Sequence, residues 1–520
     1  MTAASAAPPI ETPQETAQET AQSDIAALAK GGRTNFLGFL LRLMARVPFL
    51  FIAGRLYGAD ALGRFASAMV VIELAGQFCT LGQKRGLAQR LSVEDRHPAN
   101  IVADALLLSS AIAAAAMTLL FLFPAPMFPS GICSRYDLFL PLVLIPTTQT
   151  DIALSALAYK FDVKTTVRSR AVVEPWTLSI MAGAMYFVVP EGGLAIAYIA
   201  SMFTSAAVAL VPLARSYGMV REWRPHPVRL AKLAWANLPL AAADAVEWGT
   251  RKLDIFILGM FATPAGVGVY YVAQQVASLP QKLKTSFEPV LGPVITRNLK
   301  EHNYKAIAHQ VCQVGFWIVS AQAGIALALG IPGKAVMGMV GPHFTGGTGA
   351  LAFLLAAEVV AATAVVSEAA LIYVARFANL VISLGTIALQ AALTIGFVMA
   401  VRAAPSWHLP WGLQVPAERV PYYQAAAVAA ALMLSLGTAS VLKSQLLSRV
   451  LKERVNNWRW PLVWAGVPAI IMGWAATRFL PVWLELALGI PAILAIYCWI
   501  IWNKGFGPDD RVLFRRNIGG

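Results

Sequence analysis

Stretches of about twenty apolar residues recur along this 520-residue chain, parted by short polar loops. That recurrence limits the possible folds more than any single motif. A bilayer's hydrocarbon core is about 30 Å thick, and ~20 helical residues span it. Lipid cannot hydrogen-bond an open backbone, so such stretches must be helices that satisfy their own amides. The composition agrees, at 58% hydrophobic and 13% charged, where a soluble domain carries roughly 25% charged residues. The apolar segments 35–57, 61–82, 101–123, 137–159, 171–189, 193–214, 235–261, 268–292, 307–331, 348–375, 379–401, 423–442, 461–478 and 482–502 predict an all-α polytopic membrane protein of about fourteen transmembrane helices.

The net charge of +14 sits mainly in loops between apolar segments. Lys84 and Arg85, the stretch Lys160 to Arg170, Arg215 to Lys232, Arg297 to Lys305 and Lys443 to Arg459 all fall on one side of the expected membrane. The positive-inside rule makes that side cytoplasmic and places both termini there, as in an inner-membrane protein. No basic patch with interleaved aromatics lies outside the apolar segments, so nucleic acid is not an expected partner. The polar residues 1–28, with their ETPQETAQETAQ near-repeat, cannot bury enough to fold and predict a cytoplasmic tail. Residues 503–520 form a second tail. Cys79, Cys133, Cys312 and Cys498 have no metal-ligand spacing, so neither a disulfide nor a metal is expected. No HExxH, GxSxG or large extramembrane segment points to an enzyme.

The chain contains an internal repeat. LFIAGRLYGADALGRFASA (50–68) aligns with IFILGMFATPAGVGVYYVA (255–273) at an offset of about 205 residues, pairing Gly54 with Gly259 and Gly63 with Gly268. Each copy ends one helix, turns at glycine and starts the next. The offset covers about six helices, an even number, so the halves share one orientation. Such parallel repeats occur in transporters. The expected organisation is an N-lobe over 29–214, a C-lobe over 215–442 and two further helices over 443–502.

Residues 29–91 resemble the start of a bacterial polysaccharide flippase. The likeness rests on the entry Ala29-Lys30-Gly31, the turn Gly54-x-x-x-Gly58, the hairpin Gly63-Arg64-Phe65, the helix end Leu81-Gly82 and the basic Lys84-Arg85. The second hairpin, from Gly266 to Tyr271, is similar to that family's turn between helices seven and eight. The family is the Wzx-type branch of the multidrug/oligosaccharidyl-lipid/polysaccharide (MOP) superfamily. The resemblance implies two six-helix lobes, related by the parallel repeat, around a central cavity with two additional C-terminal helices. It also implies alternating access and a substrate: an undecaprenyl-diphosphate-linked oligosaccharide moved from the inner to the outer leaflet. Polysaccharide polymerase and assembly proteins are expected partners beside membrane lipids. A cation-coupled multidrug exporter of the same fold is the alternative.

Ionisable groups inside a bilayer cost roughly 2.5–3.5 kcal/mol each on insertion scales, so they should face a cavity or one another. Arg42 and Arg46 share one face of helix one. Helix seven carries Asp244, Glu247, Arg251, Lys252 and Asp254, and helix eight Lys282, Lys284 and Glu288. One reading makes Arg42, Arg46, Arg251, Lys252, Lys282 and Lys284 a cationic lining for a diphosphate. Asp244, Glu247, Asp254 and Glu288 would then couple transport to H⁺ or Na⁺, with no other cofactor. The other reading pairs these groups structurally, as Glu247 with Arg251 or Lys284 with Glu288. Glu73, Asp151, Glu358 and Glu368 each sit alone in an apolar helix and fit either role.

Overall fold

The computed structural model describes residues 47–511 except 219, 221, 407–415, 457 and 508–509, and leaves the side chains of 163, 247, 281–294 and 406 undescribed. All regular structure in this range is helical. Ten described segments are long and apolar enough to cross a membrane. The first of them, Val47–Val93, turns back on itself at Gly58. Three further helical stretches, at 163–186, Pro227–Phe261 and Pro264–Lys300, are also long. The pattern is compatible with the expected fourteen.

Helix α1 (47–57) reaches Gly58, where φ is 79° and α2 (Gly58–Thr80) begins. A side chain at Gly58 would meet empty space, so the glycine serves the backbone turn rather than packing. The rest of the first lobe is α3 (Gln83–Val93), α4 (Pro98–Leu122), α5 (137–159), α6 (163–186) and α7 (Gly193–Tyr217). The second lobe holds α8 (Pro227–Phe261), α9 (Pro264–Lys300), α10 (Tyr304–Gly330), the short α11 (Gly333–Val340), α12 (Thr348–Val374), α13 (Arg376–Ala403) and α14 (Val420–Leu451). The C-terminal pair, α15 (Pro461–Phe479) and α16 (482–505), packs against α10.

Several helices outrun their apolar segments. Helix α6 starts at Val163 rather than 171, α8 at Pro227 rather than 235, and α14 continues to Leu451 rather than 442. Charge ends a lipid-facing stretch, but a helix can continue into water with its backbone paired. The connection expected at 83–100 holds α3, whose Leu87 and Leu91 are buried against the first lobe.

The two repeat copies pack against each other. A β-carbon on Gly63 would stand 1.7 Å from the Pro264 carbonyl oxygen, and one on Gly268 would stand 2.0 Å from the Ala59 carbonyl oxygen. Ala59 is the repeat partner of Pro264 as Gly63 is of Gly268, so the contact is reciprocal across a local pseudo-twofold. Small residues four apart, Ala59 with Gly63 and Pro264 with Gly268, let α2 and α9 touch backbone to backbone.

The buried apolar residues show where the lobes join. Near the hairpins one continuous core unites both lobes, from Leu62, Phe65 and Met69 through Leu258, Val269 and Tyr270 to Phe344 and Leu351. At the opposite, basic-loop end the described residues form two separate cores. One belongs to the first lobe, around Leu87, Ile101, Ile152 and Leu213. The other joins the second lobe to the C-terminal pair, around Ile307, Phe316, Leu447 and Ile501. Among the described residues the core shared by the lobes therefore lies at the hairpin end. At the basic-loop end the first half of α8 leans on the first lobe, with Leu240 against Gly82 and Gly86.

Candidate functional site: charged pairs between the lobes

Between the hairpins and the basic loops, α2, α5, α6, α7, α8 and α9 carry a chain of charged and phenolic groups. Its first-lobe end is Arg170. Residues Val167–Val173 of α6 are π-wound, an extra-residue turn that recurs at functional positions. From this turn Arg170 reaches Glu174 at 2.7 Å through Nη1, and pairs with Asp151 of α5 through Nη2. The Ser201 hydroxyl of α7 donates to the Glu174 carbonyl at 2.7 Å. Tyr198 of α7 lies among Glu174, Glu73 and Arg170 of its own lobe and Tyr271 of α9.

The chain crosses the lobe interface at Lys252 and Glu73. The Lys252 ammonium of α8 stands 3.5 Å from the Glu73 carboxylate of α2, with Tyr271 and Asp254 also near Lys252. The lysine side chain is 27% exposed and the glutamate 39%, so neither is fully enclosed. Asp254 is buried and accepts hydrogen bonds from the Tyr270 hydroxyl and, at 3.1 Å, from the Gln274 amide. Closer to the basic loops, Arg85 pairs with the buried Asp244 at 3.0 Å, again joining the first lobe to α8.

Among the proposed cations, Lys252 has a carboxylate partner and Arg251 lies exposed on α8. Arg42 and Arg46 lie outside the described residues. Glu247 lies on α8, and Lys282, Lys284 and Glu288 on α9, with side chains outside the described set. Among the proposed coupling carboxylates, Asp244 and Asp254 are both buried, one on an arginine and the other on neutral donors. Lone acids of the sequence pair across helices here: Glu73 with Lys252, Asp151 with Arg170, and Glu368 with Lys443 at 2.9 Å.

Arg170 and Glu174 were not expected at the site. Arg170 stands at the edge of its apolar segment and reads as one more loop cation. The Arg170-x-x-x-Glu174 spacing was the available signal. No three of the described His, Cys, Asp or Glu side chains are arranged to hold a metal ion. An apolar cavity of about 1150 Å³ lies apart from the charged chain, between α10, α12, α13 and α14, lined by Val360, Val381, Ile382, Leu389, Met433 and Val441.

The family model of the "polysaccharide biosynthesis protein" family matches residues 52–321, which span both hairpins and the whole charged chain. The chain belongs to this family. No curated protein matches it by sequence. Among solved structures it is similar to the lipid II flippase MurJ in an inward closed conformation, at TM-score 0.65 and 13% identity, covering 90% of this chain and 99% of that one. It is also similar to a multidrug resistance MATE family transporter of the MOP superfamily in its inward-facing conformation, at TM-score 0.55 and 14% identity, covering 82% and 95%. At these identities the likeness establishes a shared fold.

Proposed function

We propose that this protein is a flippase for a polyprenyl-diphosphate-linked oligosaccharide, moving it from the cytoplasmic to the outer leaflet of a bacterial inner membrane. The observation that carries the reading is membership of the polysaccharide biosynthesis family over residues 52–321. The structural likeness to a lipid II flippase supports it. With the basic loops cytoplasmic, as the positive-inside rule places them, the core shared by the lobes lies on the outer side and the separate cores of the described residues on the cytoplasmic side. That arrangement suits loading from the inner leaflet. Lys252 and Arg251 of α8 would meet the diphosphate together with Arg42, Arg46, Lys282 and Lys284, and coupling to H⁺ or Na⁺ would fall to Asp244 and Asp254. The protein would act as a transporter and not as an enzyme.

The test is deletion of the gene followed by mass spectrometry of extracted lipids. Accumulated polyprenyl-diphosphate-linked repeat units with loss of surface polymer would support the reading and identify the sugar. An unchanged lipid pool with normal surface polymer would overturn it and favour the drug-exporting alternative.

A further inference from the structure

Lys252 and Glu73 form an ion pair between the lobes, and its geometry asks for a reason. Other carboxylates among the described residues are held more closely. Asp151 and Glu174 share Arg170, and Asp244 takes Arg85 at 3.0 Å from a buried position. The Lys252–Glu73 pair is longer, at 3.5 Å, and both members are partly exposed. Glu73 faces Lys252 of α8 and Tyr198 of α7; Asp254 of α8 and Tyr271 of α9 lie near Lys252, and Arg170 and Glu174 of α6 near Tyr198. Arg170 is already engaged by its own two carboxylates. Lys252 is therefore the cation of this group that an incoming anion can reach, and Glu73 is the group it must displace.

We propose that Glu73 is a placeholder for the diphosphate of the substrate. It neutralises Lys252 across the lobe interface while the site is empty and is displaced by the lipid headgroup on loading. This deepens the flippase reading and rests on it. An unpaired ammonium between two apolar lobes would be costly, and a carboxylate resolves that cost in the empty protein. A diphosphate offers more negative charge and more acceptor oxygens than a carboxylate, so it competes for the same lysine. Glu73 belongs to α2 and Lys252 to α8, so displacement also removes one contact joining the lobes. An anionic cargo then releases this interlobe contact as it binds, whereas a neutral lipid leaves it intact. Glu73 acts here as a specificity-setting residue that does not itself bind the substrate.

The experiment uses the full chain in nanodiscs, with farnesyl diphosphate as the probe and farnesol as the uncharged control. Glu73→Gln keeps size and polarity but removes the competing charge. It should tighten farnesyl diphosphate binding about two- to fivefold, the size expected for displacing a partly exposed pair, and leave farnesol binding unchanged. Lys252→Ala should bring farnesyl diphosphate down toward the farnesol level, and the double variant should match Lys252→Ala. If the wild type binds the diphosphate and Glu73→Gln binds it equally or more weakly, the placeholder role is overturned while the substrate class stands. If neither the wild type nor Glu73→Gln prefers farnesyl diphosphate to farnesol, both the placeholder and the diphosphate reading fall.

Discussion

At the scale of single residues, a fully partnered buried charge lies beyond the last helix. The buried carboxylate of Asp510 accepts from the Trp317 indole at 2.9 Å, from the Arg459 guanidinium at 2.6 Å and from the Gly507 amide at 2.9 Å. Burial pushes this carboxyl upward, but the Arg459 guanidinium and the donated hydrogen bonds outweigh it, and Asp510 is held below the ordinary carboxylate range. A lowered native value means the contact stabilises fully above the unfolded pKa of about 3.9 and is lost as pH falls through the native value. Hydrogen exchange of the α16 end should therefore rise in the wild type as pH drops below about 4. Asp510→Asn should expose that end already at neutral pH and flatten the acid response, at a cost of about 1.5–3 kcal/mol. Identical exchange profiles for the two proteins would show that Asp510 does not anchor the segment. The sequence marked Asp510 only as part of a tail, and it treated Glu73 and Asp151 as solitary. Which lysine or arginine an acid meets depends on how helices distant in sequence pack, and a one-dimensional pattern carries no term for that.

At the scale of elements, the helices themselves were legible, because apolar length and glycine turns are written locally. The repeat was legible too, as a constant offset, and its glycines proved to be where the two copies touch. Two things were not. Helix ends ran past the apolar segments, because the bilayer limits hydrophobicity and not helicity. Helix α3 was hidden because a short amphipathic helix resembles a basic loop in composition. The contact of α2 with α9 gives the prediction for this scale. A β-carbon on Gly63 would sit 1.7 Å from the Pro264 oxygen, so Gly63→Val can be accommodated only if the two helices part. Overpacking of this kind costs typically 1–3 kcal/mol. Gly63→Val should insert normally but transport poorly and melt at lower temperature. Gly396→Ala, where nothing lies within reach of an added β-carbon, should behave as wild type. A fully active, equally stable Gly63→Val protein would mean that the close approach of α2 and α9 does not matter to the working molecule.

At the scale of the whole molecule, the arrangement of cores implies a direction of movement. One core holds the lobes together at the hairpins, while two cores serve them separately at the basic loops. A rigid rocking motion about the site that exposed the hairpin end must split the shared core and leave the two separate cores whole. This can be tested where α2 meets α8. The Ser67 β-carbon lies 3.7 Å from where a β-carbon on Gly259 would stand, and disulfide-linked cysteines place these atoms about 3.5–4.5 Å apart. Ser67→Cys with Gly259→Cys, in a background without the four native cysteines, should crosslink on mild oxidation and tie the lobes at the hairpin end. Transport should stop in the oxidised protein and return on reduction, while substrate binding survives both treatments. Each single cysteine should transport normally in either redox state, which separates the tie from damage by the substitutions. If the crosslinked protein transported at the wild-type rate, the lobes would not part at the hairpins. The separate cores at the basic loops would then serve parts that stay in place, with the moving parts elsewhere in the chain.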